Sequence, residues 1–141
     1  MNIIEKSLEI ALRAYGGKQD KAGKAYVLHP LRMMLKMDTE EEMSVALLHD
    51  VIEDSDITSD DLLQAGIPST VVDAVVILSK KDNESYDAFI DRVLGNSLAA
   101  KIKTADIEDN INVLRLDSLS DSSLERVRKY HKAWKRLQSS V

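Results

Sequence analysis

Three short stretches hold side chains able to grip a cation or move a proton. They are Tyr26-Val27-Leu28-His29-Pro30, Leu47-Leu48-His49-Asp50-Val51-Ile52-Glu53-Asp54 and Lys103-Thr104-Ala105-Asp106-Ile107-Glu108-Asp109-Asn110. In the second, a helical repeat of about 100° per residue gathers His49, Asp50, Glu53 and Asp54 on one arc of about 140°. Val45, Leu47, Leu48, Val51 and Ile52 fall on the opposite side. A histidine and three carboxylates on one arc of so apolar a helix repel one another unless protons or a cation neutralise them. A merely solvated helix end explains them poorly, because acids at a helix C-terminus oppose the macrodipole. Proline directly after His29 suits a helix start and holds that imidazole at a helix N-terminus. Asp106 and Asn110 share a helix face at i,i+4. Histidine nitrogens and carboxylates from these stretches make a mixed N/O set that suits Mn²⁺, Fe²⁺ or Zn²⁺ and leaves positions for water and a phosphoryl oxygen.

The elements that must bring these stretches together read as all-α. Apolar residues recur at three- and four-residue spacings, and sustained period-two alternation is absent. Helices are expected at 2–16, 29–37, 40–54, 59–65, 69–80, 84–94, 97–116 and 121–138, with Thr39, Thr58, Ser69 and Ser120 as candidate N-caps. Residues 16–24 carry three glycines and three lysines between two apolar helices, which marks a loop with a role of its own. No internal repeat or composition shift divides the chain, so residues 1–141 are expected to form one domain.

Composition narrows the function classes. With 44% hydrophobic and 30% charged residues the chain reads as globular, and aromatics at 4% leave an aliphatic core in which Met33, Met34, Met37 and Met43 take part. The absence of cysteine excludes disulfides, thiol nucleophiles and Cys-based zinc sites, and points to the cytoplasm. No apolar run approaches the ~20 residues of a membrane span, and the N-terminus lacks a signal-peptide pattern. A net charge of −5 weighs against nucleic-acid binding, so an anionic small molecule must meet a local basic patch. Lys18, Lys21, Lys24, Lys80, Lys81, Lys101 and Lys103 could supply it, with Lys21 and Lys24 foremost because their loop runs directly into His29. His131 lies in a basic helix that repels a metal and is expected to be structural.

The pattern His29, His49-Asp50 and Asp106 resembles the HD phosphohydrolase superfamily. Gly23-Lys24-Ala25-Tyr26-Val27-Leu28-His29-Pro30, then Ala46 to Asp54, then Lys103-Thr104-Ala105-Asp106 with Asn110, is similar in order and spacing to the hydrolase domain of the RelA/SpoT alarmone enzymes over residues 10–116. The resemblance implies a single HD-domain helical bundle holding one divalent ion, Mn²⁺ ahead of Fe²⁺ or Zn²⁺. It implies a small-molecule nucleotide substrate, ppGpp or pppGpp, whose 3′-diphosphate is removed as pyrophosphate, and no nucleic-acid or membrane partner. The synthetase and regulatory domains of the long members have no room, so a stand-alone small alarmone hydrolase is expected. By position, His29, His49, Asp50 and Asp106 would hold the metal, Glu53 and Asp54 would orient and deprotonate the attacking water, and Asn110 would lie near the ribose. The chain departs from the pattern at Tyr15 and Asp109, where relatives often carry histidine, at Ala25 in place of proline, and at Asp20 in place of a base-stacking arginine. Two alternatives accompany this reading: an HD phosphatase for another nucleotide, such as a 5′-nucleotide or NADPH, and a non-catalytic nucleotide sensor. Retention of Glu53 and Asp54 speaks against the sensor.

Overall fold

Helix α1 (Ile3–Tyr15) begins at a capping box, in which the Asn2 side chain accepts from the Glu5 N–H and Glu5 accepts from the Asn2 N–H. Thr39 with Glu42 starts α3 (Glu40–Leu48) in the same way, and Thr58 with Asp61 starts α5 (Ser59–Gln64). The computed structural model describes residues 1–139. Its other helices are α2 (Leu28–Leu35), α4 (Val51–Asp54), α6 (Ser69–Ile77), α7 (Tyr86–Leu94), α8 (Ser97–Asn110) and α9 (Asp121–Ser139), with a 3-10 turn at Val113–Arg115. The all-α expectation holds, and among the described residues no helix is long and apolar enough to cross a membrane.

Helix α3 is the central element. Its last five residues, Ser44 to Leu48, are all fully buried, and it packs against α1, α2, α6 and α8. This apolar C-terminal half is interior on every side, while Glu40, Glu41 and Glu42 keep the first turn at the surface. Ser7 of α1 and Ser44 of α3 satisfy each other by a buried hydroxyl–hydroxyl hydrogen bond where the two helices meet. The core around them is aliphatic: Met33, Leu62, Val71, Ile90 and Ile102 are buried, and Phe89 is the chain's one phenylalanine. Met33 and Met37 are buried, while Met34 and Met43 pack against the core from its edge.

The structure corrects the expected helices at three points. The helix expected over 40–54 breaks at His49-Asp50, with Asp50 at φ −106°, ψ 4°. Two side chains interrupt the ladder there: His49 Nδ1 donates to the Ala46 carbonyl at 2.8 Å, and the Asp50 N–H donates to the Tyr15 hydroxyl at 3.1 Å. Helix α6 stops at Ile77 because Arg92 takes the carbonyls of Ile77 and Ser79, both at 3.1 Å. Helix α8 stops at Asn110, and the Asn112 side chain then accepts from the Leu114 N–H, which favours the 3-10 turn. At α6, Pro68 occupies the N-cap and Ser69 is the first helical residue. Ser120 acts as expected, accepting from the Ser123 N–H at the start of α9.

The loop between α1 and α2 is folded by Asp20. Its Oδ1 accepts from the N–H groups of Ala22 and Lys24, both at 2.9 Å, and Gly23 at φ +78° completes the turn. Because Leu48 is wholly buried between the packed helices, Leu48→Ala is expected to cost about 2–5 kcal/mol in chemical denaturation, through lost burial and the cavity left behind.

Candidate metal centre and active site

His29, in the first turn of α2, meets His49 and Asp50 at the break after α3 and Asp106 in the middle of α8. One ligand atom each from His29, His49 and Asp50 lies within 4.8 Å of the others. Asp106 Oδ1 lies 2.8 Å from His29 Nε2 and 3.6 Å from His49 Nε2, and Asp50 Oδ2 lies 3.0 Å from His49 Nε2. His29, His49 and Asp106 are buried.

Each group is held from behind. His29 Nδ1 donates to Asp109 Oδ2 at 2.6 Å and His49 Nδ1 donates to the Ala46 carbonyl, so both Nε2 atoms face the centre. The Tyr26 hydroxyl donates to Asp50 Oδ2, while Asn110 Nδ2 and Lys103 Nζ donate to Asp106 at 2.9 and 2.7 Å. Asp109 is itself fixed by Arg32, whose Nε and a terminal nitrogen reach its two oxygens at 2.7 and 2.8 Å.

His49 Nε2 is buried and lacks a hydrogen-bond partner among the described residues. An imidazole nitrogen that lies beside two carboxylates and makes a hydrogen bond to neither fits a bound cation. Without one, protons take its place. Burial opposes a charged ring, yet Asp106 and Asp109 hold the His29 pKa above its ordinary value, and Asp50 and Asp106 hold that of His49 well above. Burial likewise opposes the Asp106 carboxylate, but Lys103 and the two histidines keep it ionised far below the usual range.

Glu53 and Asp54 stand one helical turn beyond Asp50, where they share a cleft of ≈ 320 Å³ with His49, Asp50, Asp106 and Lys103. Partial burial, then the charge of Asp50, raises the pKa of both. A second cleft, ≈ 400 Å³, lies on the other side of His29 and is lined by Lys21, Arg32, Arg115 and Arg126 among others. Asn110 and Tyr130 belong to both clefts.

No protein-family model matches the chain. Among curated proteins it is 37% identical over 87 residues to a guanosine-3′,5′-bis(diphosphate) 3′-pyrophosphohydrolase from Vibrio cholerae, an alignment covering 59% of this chain and 12% of that protein. It is 27% identical over 122 residues to a protein of the same name from Aquifex aeolicus, covering 79% of this chain and 18% of the relative. The chain therefore spans less than a fifth of either relative's length. A solved structure described as a metazoan ortholog of SpoT that hydrolyzes ppGpp shares the fold, with a TM-score of 0.78 over 99% of this chain and 85% of that one, at 23% identity. Over 59–79% of its length the chain is thus similar to guanosine-3′,5′-bis(diphosphate) 3′-pyrophosphohydrolases, and it shares the fold of the SpoT ortholog.

Within this fold, His29, His49, Asp50 and Asp106 converge, Glu53 and Asp54 open onto the cleft that His49, Asp50 and Asp106 line, and Asn110 holds Asp106 while lining both clefts. Lys21 lines the second cleft, whereas Lys24 is exposed and lines neither, because the Asp20 turn separates the two lysines. Lys80 and Lys103 line the first cleft, and Lys101 is engaged elsewhere by Asp38 and Glu42. His131 is exposed and lines neither cleft. Sequence reasoning noted Tyr15 and Asp109 only as departures from the resembled pattern, and it missed Arg32, Tyr86 and Lys129. Asp109 left a further signal, since it lies three residues from Asp106 on the same helix face.

Asp109→Asn keeps the shape of the side chain but removes the charge behind His29 and Arg32. Metal affinity, read by calorimetry, is expected to fall roughly 10–100-fold, the range for a lost partner of a ligating histidine. Raised pKa values at Glu53 and Asp54 give a pH test in metal-free protein. The folded state prefers these groups protonated, so their contribution is present below the ordinary carboxylate value and is lost as pH rises through the raised one. Glu53→Gln should therefore raise Tm at pH 7, and the gain should vanish as pH falls below about 4.

Proposed function

We propose that the HD domain is a metal-dependent phosphohydrolase that removes the 3′-diphosphate of guanosine alarmones, converting ppGpp and water to GDP and pyrophosphate. The observation that carries this reading is one cleft in which His49, Asp50 and Asp106, joined by the buried His29 through Asp106, lie beside the Glu53-Asp54 pair. The names of the curated relatives from Vibrio cholerae and Aquifex aeolicus support the substrate. Mn²⁺ is the proposed ion, with Fe²⁺ or Zn²⁺ compatible with the same N/O donors. The proposed setting is a single cytoplasmic domain.

His29, His49, Asp50 and Asp106 would hold the metal, which when bound supplies Lewis acidity that makes water easier to deprotonate and draws charge from a phosphoryl oxygen. Glu53 and Asp54 accept the proton of the attacking water, a task suited to carboxylates whose pKa is lifted towards neutrality. Asn110 keeps Asp106 oriented while bordering the substrate. Lys21, in the second cleft, offers charge to a phosphate and offsets the overall −5 locally.

A second reading, hydrolysis of another nucleotide such as a 5′-nucleotide or NADPH, gains support from Asp20. Its carboxylate is committed to the loop turn, so no arginine stacks on a base from that position. Mn²⁺-loaded protein assayed against ppGpp, pppGpp, the adenine analogue, 5′-nucleotides and NADPH, with product identification, tests both. Turnover of ppGpp with release of pyrophosphate is expected, with modest discrimination against adenine. Glu53→Gln should retain metal while kcat falls about 10²–10⁴-fold, and Lys21→Ala should act mainly on KM. Orthophosphate as sole product, or turnover of 5′-nucleotides with none of 3′-diphosphates, would reject the alarmone reading.

A further inference from the structure

Tyr86, the first residue of α7, forms part of the wall of the cleft that holds Glu53 and Asp54. Its hydroxyl is buried and has no hydrogen-bond partner among the described residues. A buried hydroxyl left unsatisfied costs free energy, and in a cleft the missing partner is a ligand or water. Lys129 Nζ lies 4.6 Å from the centre of the Tyr86 ring and Lys103 Nζ lies 5.9 Å from it, while Lys80 joins the same wall from the segment after α6.

Stacking of lysines on an aromatic ring is a common structural contact and accounts for the position of Lys129 over the ring. It leaves two features unexplained. The hydroxyl remains orphaned, and among the described residues neither Lys80 nor Lys129 has a carboxylate within 4.0 Å. Lys103 is different, since Asp106 already takes one of its hydrogen bonds at 2.7 Å. Cations also crowd one another here: partial burial, then the charges of Lys103, Arg126, Lys80 and Lys21, depress the Lys129 pKa. Lys80 and Lys129, from separate elements, are thus held at one cleft with no carboxylate in direct contact, and Arg92 braces the segment bearing Lys80 by gripping Glu84 and the carbonyls of Ile77 and Ser79.

We propose that Tyr86, Lys103 and Lys129, with Lys80 at the edge, form a binding site for inorganic diphosphate, the subsite that receives the leaving group. The inference rests on the phosphohydrolase reading and adds to it the place of the product. A diphosphate carries more than one negative charge, which matches two uncompensated ammonium groups, and its oxygens accept from the Tyr86 hydroxyl. A single phosphate reaches fewer of these donors at once.

The test is calorimetric titration of the Mn²⁺-loaded 141-residue chain with inorganic pyrophosphate and with orthophosphate, with metal content checked before and after. Pyrophosphate is expected to bind more tightly than orthophosphate. Lys129→Ala and Tyr86→Phe should each weaken it about tenfold or more, the size of one lost hydrogen bond to a charged group. Lys129→Arg should restore most of the loss, and Lys132→Ala, which removes the same charge from an exposed site on the same helix, should leave affinity unchanged. Tyr86→Phe removes a single oxygen, so retained thermal unfolding keeps that variant informative if Lys129→Ala folds poorly. Parent-like pyrophosphate affinity in both variants, or an equal loss in Lys132→Ala, overturns the proposal. Binding is read without turnover. If ppGpp is cleaved while the variants bind pyrophosphate as the parent does, the subsite alone fails; if the variants lose pyrophosphate while no alarmone is cleaved, the hydrolase reading alone fails.

Discussion

Two imidazole nitrogens and two carboxylates must face one another in a buried space, and each would turn away unless something behind it fixed which atom points inward. The fold supplies that backing from separate elements. Asp109 of α8 stands behind His29, the Ala46 carbonyl of α3 behind His49, Tyr26 of the loop beside Asp50, and Lys103 with Asn110 beside Asp106. The hydrogen bond that selects the His49 tautomer is also one of the two that break the helix after Leu48. Local backbone geometry and ligand orientation are therefore one arrangement, and Tyr15 at the end of α1 completes it by accepting the Asp50 N–H.

Burying so many ionisable groups is costly unless each is paired. The solution is local and does not follow from the chain's net charge of −5. Arg32 neutralises Asp109 and Lys103 neutralises Asp106, both through short contacts from partly or largely covered side chains. Further out, the balance reverses: Lys21, Arg115 and Arg126 line one cleft, and Lys80 and Lys129 line the other. The acidic centre is thus ringed by cations, the distribution that draws an anionic molecule towards an overall acidic protein.

What was legible in the sequence was whatever depends on neighbours in the chain. Thr39 and Thr58 announced their helices because a capping box is a four-residue device, and the all-α class followed from apolar spacing. His29, His49, Asp50 and Asp106 stood out by type and spacing. The break at His49-Asp50 did not, because one of the two groups that make it, the Tyr15 hydroxyl, lies 35 residues upstream. The early end of α6 depends in the same way on Arg92. Lys129 read as one charge in a basic helix, and only the packing of α9 beside α7 brings it over Tyr86.

Asp20 ties the loop to the substrate question. Its carboxylate accepts two backbone N–H groups, and its own N–H donates to the Lys24 carbonyl at 2.8 Å, closing a turn just before His29. An arginine at this position has donors only, so it could not make the two side-chain contacts that shape the turn. Folding the loop this way and stacking an arginine on a base from position 20 exclude each other. The remaining polar groups of that cleft include Lys21, Arg115, Arg126 and Asn110, whose charges and amide recognise phosphate and ribose oxygens more readily than a base edge. Under the alarmone reading, selectivity then rests on where the phosphates sit more than on which base they carry.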